Sequence, residues 1–327
     1  MDNLDKKNIA IIGLGEIGSR HLQALSKITI PSSLYAVDPS NKSTSIAKSR
    51  LKEEASNQTI DFHFLNSVEE LPKKLALVII STSSDIRLSI LESLFKNKIE
   101  VENIVFEKVV FQRPKDFDKA KNLLSKNRIK SWVNCPRRSW PIYMDLRSFL
   151  KEKKDLFFIL KGGEWGMACN AIHFIDLIEW LTSSEILEID IDELDPAILE
   201  SKRKGFIEIS GKLKVHYTGQ NRIHLFSDVN SSQVPEIEIF GKGFKVCIDE
   251  SLGKLLIEKD DESDLKEFEI PYQSELSNKI AEDILLRKTT KLPCFDESMR
   301  QHTIMLNAFQ KHIENTTLTK IDYCPIT

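Results

Sequence analysis

Residues 7–25 read KNIAIIGLGEIGSRHLQAL. The apolar run Ile9-Ala10-Ile11-Ile12 leads straight into Gly13-Leu14-Gly15-Glu16-Ile17-Gly18, and a helical pattern follows. A glycine triplet alone carries little weight; between a strand and a helix it is the turn that holds a dinucleotide. Gly13 permits the tight turn, Gly15 lets the backbone approach a pyrophosphate, and Gly18 lets the helix pack close to the strand. The free amides at the helix start then face a dianion. A second apolar run over 33–37 ends in Asp38, where an acid that binds the adenosine ribose belongs. These residues predict a nucleotide site made of Gly13, Leu14, Gly15, Glu16, Ile17, Gly18 and Asp38.

Working outward, residues 1–131 alternate strand and helix patterns. The run 75–80 suits a strand buried on both faces and ends at Ser81 and Thr82. A helix over 85–96, a strand over 104–106 ending in Glu107-Lys108, a helix over 116–126 and a strand over 129–133 complete the rhythm. This is a doubly wound parallel sheet with helices on both faces. Ligands bind such sheets beyond the carboxyl ends of the strands, so Ser81, Thr82, Glu107 and Lys108 join the cofactor site.

After about residue 132 the pattern changes. Helices are expected over 144–154 and 171–181, with a strand over 156–160 between them. Strands follow over 186–192, 205–210, 212–218, 222–227, 235–240, 244–248, 254–259 and 266–270, several separated by glycine, with 260–266 as a solvated hairpin. Helices over 274–288 and 297–314 close the chain. The expected fold is α/β: an N-terminal Rossmann domain over 1–131, then an α+β domain over 132–327 with an open, mostly antiparallel sheet. The second domain would serve substrate binding and oligomerisation, and a C-terminal helix is placed back against the first.

Composition bounds the function. The 327 residues are 41% hydrophobic and 29% charged, and 46 basic residues against 49 acidic ones give a net charge of −3. Nothing there calls for nucleic acid or an anionic membrane. No apolar run approaches the ~20 residues that span a bilayer. The start, MDNLDKKN, is polar and does not read as a secretory signal. The five scattered cysteines read as reduced thiols of a cytosolic protein, and no metal site is expected.

Four segments, GLGEIGSRH, FEKVV at 106–110, VNCPRRSWP at 133–141 and NAIHFID at 170–176, resemble the glucose–fructose oxidoreductase, inositol dehydrogenase and MocA family in order and spacing over nearly the whole chain. The resemblance implies hydride transfer between NAD or NADP and the carbinol or ketone carbon of a sugar, sugar acid, cyclitol or nucleotide-sugar. It implies that Lys108 reaches the nicotinamide and the reacting carbon. The family's Glu-Lys-Pro is here Glu107-Lys108-Val109. Its Asp-x-Gly-x-His-x-x-Asp keeps His173 and Asp176 but has Cys169 and Ala171 in place of the first aspartate and the glycine. His173 then becomes the proton acceptor, since imidazole exchanges a proton near neutrality. Asp176 is structural, either orienting His173 or capping a neighbour, Asn170 takes a binding role, and Cys169 has no evident base to make it a nucleophile. Arg137 and Arg138, in the family's Asn-x-x-x-Arg stretch, would clamp a carboxylate or phosphate. Trp165 would stack on a sugar. Asp38 without a neighbouring arginine favours NAD, with Lys42 the residue that would admit NADP. Family members commonly pair through the open sheet, so a homodimer or homotetramer is expected. Loss of the aspartate and proline keeps a dinucleotide-binding sensor without turnover as an alternative, and reduction of an imine or enone is a second one.

Overall fold

Two kinds of apolar pattern build two sheets. The computed structural model describes residues 6–53, 60–151 and 153–327. It divides into two units. The first takes in the chain up to Phe111, then Lys115–Pro136 and Pro271–Asp296; the second takes in Gln112–Pro114, Arg137–Ile270 and Glu297–Thr327. Where the sequence reading cuts the chain once, after 131, each unit is assembled from three stretches. The secretory-signal reading rests largely on residues 1–5, which lie outside the described residues.

The first unit runs β1 (Lys7–Ile12), α1 (Glu16–Leu25), β2 (Ser32–Val37), α2 (Asn41–Lys52), β3 (Ile60–Leu65), β4 (Lys74–Leu75), β5 (Leu77–Ile80), α3 (Arg87–Lys96), β6 (Glu100–Val101), β7 (Asn103–Phe106), α4 (Pro114–Lys126) and β8 (Lys130–Val133). Six strands form a parallel sheet in the order β3-β2-β1-β5-β7-β8, while β4 and β6 pair as a short ribbon. Ile9, Ala10, Ile11, Leu77, Val78 and Ile104 have no exposed surface, as strands covered on both faces require. The strand order reverses between β1 and β5, which opens a crevice at their carboxyl ends.

The second unit holds α5 (Pro141–Leu150), β9 (Phe157–Gly162), α6 (Met167–Thr182), β10 (Ile186–Glu200), β11 (Ile207–Tyr217), β12 (Arg222–Ser227), β13 (Glu236–Gly241), β14 (Phe244–Asp249), β15 (Lys254–Lys259) and β16 (Glu262–Glu267). Its sheet has the order β10-β11-β12-β9-β13-β14-β15-β16. Only β9 and β12 run parallel; the other neighbours are antiparallel. Helix α6 packs on β11 and β12. Alternation then sends Phe158 and Leu160 inward and Phe157 and Ile159 to the opposite face. On that face Phe157 meets His224 and Phe240. The chain closes with α7 (Gln273–Glu282), followed by a wider turn over Asp283–Arg287, and α8 (Phe295–Thr317).

Some element expectations change, among them the strand expected over 266–270, which lies earlier, at Glu262–Glu267. Gly211 does not separate two strands but lies inside β11, where the β10 register shifts. Its φ is +97°, and a Cβ there would lie 2.5 Å from the Asp195 amide nitrogen, so glycine marks a bulge. The polar stretch after residue 260 is the edge strand β16 rather than a hairpin alone; its charges suit an exposed edge. No helix among the described residues is long and apolar enough to cross a membrane.

Candidate functional site

In the first unit the glycine turn has the shape its sequence predicts. Gly13 sits at φ +94°, and a Cβ on it would lie 2.8 Å from the Thr82 amide nitrogen. A Cβ on Gly18 would fall 1.7 Å from the Gly13 carbonyl oxygen. A Cβ on Gly15 would meet nothing within 4 Å. The three glycines therefore do different work: two let backbone meet backbone, and the middle one faces open space. Ser81 Oγ donates to the Gly13 carbonyl at 2.7 Å and ties the end of β5 to the turn. Asp38 accepts the Leu14 amide on Oδ2 at 2.7 Å and the Ser40 amide on Oδ1 at 2.8 Å, which fixes its carboxylate at the end of β2. The Leu14 side chain is fully buried, so only its backbone serves the turn. Ile17 is partly exposed on α1. Glu16 pairs with Arg50 of α2 at 2.5 Å, and that bond and charge hold its carboxyl below the usual range. Thr82 Oγ1 is buried without a protein partner. An open cradle over Gly15, a fixed carboxylate at Asp38 and an unspent hydroxyl at Thr82 fit a dinucleotide.

Glu107 and Lys108 follow β7. His21 spans Ser277 of α7 (Nδ1 to Oγ, 2.7 Å) and Glu107 (Nε2 to Oε1, 2.9 Å). Asn134 donates to Glu107 and, at 3.1 Å, to Gln273, which donates to Ser277 at 2.8 Å. Burial alone would push the Glu107 carboxyl up. The bond and charge of His21, with Asn134 and Lys108, outweigh it and hold that carboxyl below its ordinary value. The backbone leading into Lys108 is thus fixed by a closed polar network, and Lys108 itself is half-buried. The Lys108–Val109 peptide is cis.

In the second unit Arg137, Trp165, Asn170 and His173 line one cavity of about 480 Å³ together with Phe174, Glu250 and Ser251. Arg137 grips Glu250 through two bonds of 2.8 Å, and Tyr143 donates to the same carboxylate at 2.5 Å. Burial pushes the Glu250 carboxyl up, but the charge and bonds of Arg137 outweigh it and hold it low. The guanidinium also lies over Phe174, 4.5 Å from the ring centre. Trp165 is fixed by its Nε1 bond to the Phe226 carbonyl at 2.8 Å and by its edge contact with Phe174. Asn170 Nδ2 donates to the Trp165 carbonyl at 2.9 Å.

Arg138 departs from the expected clamp. It is 4% exposed and bonds Asp176 (Nε to Oδ2, 2.8 Å) and Glu297 of α8 (2.7 Å). Its charge is spent inside the unit, so it does not serve a substrate anion. Asp176 is structural, as expected, but its partner is Arg138 rather than His173; burial pushes its carboxyl up to about 6, with Glu297 and Glu179 adding to the effect against the pull of Arg138. Cys169 donates to Glu208 of β11 at 2.6 Å, a carboxylate that spacing could not reveal because it comes from another element. The sequence reading also missed His21, Asn134 as a partner of Glu107, Gln273, Ser277 and Glu250. Of these, His21, three residues after Gly18, and Asn134, at the head of the Asn-x-x-x-Arg stretch, lay within segments the sequence singles out.

Residues 7–135 match the family model described as "Oxidoreductase family, NAD-binding Rossmann fold". No curated protein matches the sequence. Among solved structures, the chain is similar to UDP-N-acetylglucosamine 3-dehydrogenase from Acidithiobacillus ferrooxidans at 13% identity and a TM-score of 0.70, covering 94% of this chain and 97% of that one. It is similar to a Gfo/Idh/MocA family oxidoreductase from Vibrio cholerae at 14% identity and a TM-score of 0.70, covering 96% and 100%. It is also similar to an oxidoreductase from Agrobacterium radiobacter, solved with NAD+, L-tartaric acid and magnesium, at 11% identity and a TM-score of 0.68, covering 92% and 94%. At these identities the likeness is one of fold. The sequence match to the Gfo/Idh/MocA oxidoreductase family is to its NAD-binding Rossmann domain, at residues 7–135, and over the rest of the chain the likeness is one of fold.

Proposed function

We propose that this protein transfers a hydride between NAD and a carbinol or ketone carbon of a neutral sugar or cyclitol ring. The observation that carries the choice of ring is the Arg137–Glu250 pair. With both oxygens of Glu250 on one guanidinium, the cavity offers a closed ion pair, an amide, a hydroxyl and an aromatic wall. Such a lining suits hydroxyls, which both donate and accept, better than a carboxylate that needs an unspent cation. Trp165 gives a ring face to stack on. The dehydrogenase from Acidithiobacillus ferrooxidans is named for a nucleotide-sugar, and a neutral ring within such a molecule falls under the same reading.

NAD, when bound, accepts or returns the hydride. The chain's own part is to hold the dinucleotide through residues 13–18 and Asp38, and to manage the hydroxyl proton. Lys108 steadies the substrate oxygen and His173 takes the proton, roles that follow from the family resemblance. Asp38 repels a 2′-phosphate, so NADH should bind more tightly than NADPH. We propose also that the sheet face bearing Phe157, Ile159 and Phe240 pairs with a second copy of the chain, since a half-exposed apolar row favours a partner.

The test is to follow NADH absorbance with neutral sugars, cyclitols, sugar acids and nucleotide-sugars. Lys108→Ala and His173→Ala should each lower turnover by about 10² or more while NADH affinity stays near parental. A doubly substituted protein working at the parental rate refutes these roles. Tight NADH binding without turnover on any compound favours the sensor reading.

A further inference from the structure

Arg87 is a large side chain that neither the glycine turn nor the substrate cavity uses, and it is 1% exposed. It opens α3, yet its guanidinium turns toward backbone rather than solvent. Nη1 donates to the carbonyls of Glu107 at 2.7 Å, of Val110 at 2.9 Å and of Val109, and Nη2 donates to the carbonyl of Thr82. One cation therefore bridges the segments that follow β5 and β7. Three of the four carbonyls belong to the residue before Lys108 and the two after it.

A guanidinium is expensive to bury, and a side chain serving only to fill space there would be apolar. What arginine supplies is a planar fork of five N–H donors in fixed directions. Carbonyls that converge on one fork cannot move independently. We infer that Arg87 is a positioning residue that sets the path of the chain through residues 107–110 and thereby the place of Lys108. This deepens the reaction proposed above, and it rests on Lys108 being a proton-handling group. Lysine at position 87 would keep the charge but bring its donors to a single nitrogen, which cannot span the Thr82 carbonyl and those of residues 107–110 as Nη2 and Nη1 do.

The test uses the full chain with Arg87→Lys and Arg87→Met, each checked by thermal melting and NADH titration. Hydrogen–deuterium exchange across residues 104–112 reads the segment directly, whatever the substrate. In folded Arg87→Lys, exchange there should rise about tenfold or more while β1 and α1 keep parental protection. On a substrate that the parent turns over, kcat should fall by about 10- to 10²-fold with KM little changed, the effect of a displaced rather than a missing group. Parental exchange over 107–110, or parental kcat, in folded Arg87→Lys overturns the inference. If Arg87→Met fails to fold, Arg87→Lys decides alone. If the parent turns over no sugar, the proposed reaction fails, and the exchange result by itself supports or overturns the placing role of Arg87.

Discussion

Replacing Gly15 with alanine separates binding from folding in a way the other two glycines cannot. Gly15 sits at φ −61° and caps α1, a backbone alanine adopts, and its Cβ would touch no protein atom within 4 Å. Gly15→Ala should thus fold with near-parental stability, the lost freedom of the unfolded chain, about 0.4–1 kcal/mol, offsetting alanine's poorer fit at the helix N-cap. The new methyl stands where a pyrophosphate must approach the backbone. Losing one charge-assisted bond to an amide costs about 1.5–3 kcal/mol, which is roughly 10- to 10²-fold in NADH affinity. Gly18→Ala is the contrast: a Cβ 1.7 Å from the Gly13 carbonyl oxygen forces backbone to move. It should cost about 3 kcal/mol or more of stability. NADH fluorescence titration beside thermal melting measures both quantities. Gly15→Ala that binds NADH as tightly as the parent would refute the assignment of this turn, and Gly15→Ala that melts well below the parent would refute the open space.

Three further outcomes are expected. Because Glu107 is held below its ordinary value, it stabilises the fold above the unfolded carboxylate pKa of about 4.3 and loses that contribution as pH falls through its lower folded value; melting curves at falling pH should show a shallower acid limb for Glu107→Gln, and identical limbs would contradict this. Glu250→Gln leaves Arg137 without its counter-charge, so the ratio of kcat/KM for a sugar acid over its neutral parent sugar should rise by about tenfold; an unchanged ratio would show that the pair does not set substrate charge. Light scattering at micromolar concentration should give a homodimer or larger, and a monomer would dispose of the pairing face.

The nucleotide turn was legible because its parts are neighbours in the chain, and each glycine has one steric reason to be there. Asp38 was legible for the same reason, standing at the end of the next strand. Arg137 and Arg138 show where this stops. They are adjacent in sequence, yet one reaches Glu250 and the other Asp176 and Glu297. Only the register of β14, α6 and α8 decides which arginine keeps a place in the cavity. Gly211 misled because a glycine between two apolar runs has the same pattern whether the chain turns or bulges. Glu208 beside Cys169, and Gln273 and Ser277 beside Glu107 and His21, come from elements with no sequence link to the residues they serve. His21, Glu107 and Asn134 were all present in quoted motifs, but nothing local says that three such residues share one network.

The discontinuous make-up of both units bears on the order in which this chain can mature during synthesis. Strand β1 and its glycine turn leave the ribosome long before Gln273 and Ser277, which close the network around Glu107 and lie more than 250 residues later than His21. The second unit in turn waits for Glu297, the partner of Arg138, and for the stretch ending at Thr327. Domains of nascent proteins commonly fold one after another. Here neither unit is complete until its third stretch has been made, so the emerging Rossmann strands wait for α7 while the whole of Arg137–Ile270 is synthesised. A truncation after residue 131, the boundary that the sequence suggests, would remove Asn134, Gln273 and Ser277 together and leave His21 and Glu107 with only each other.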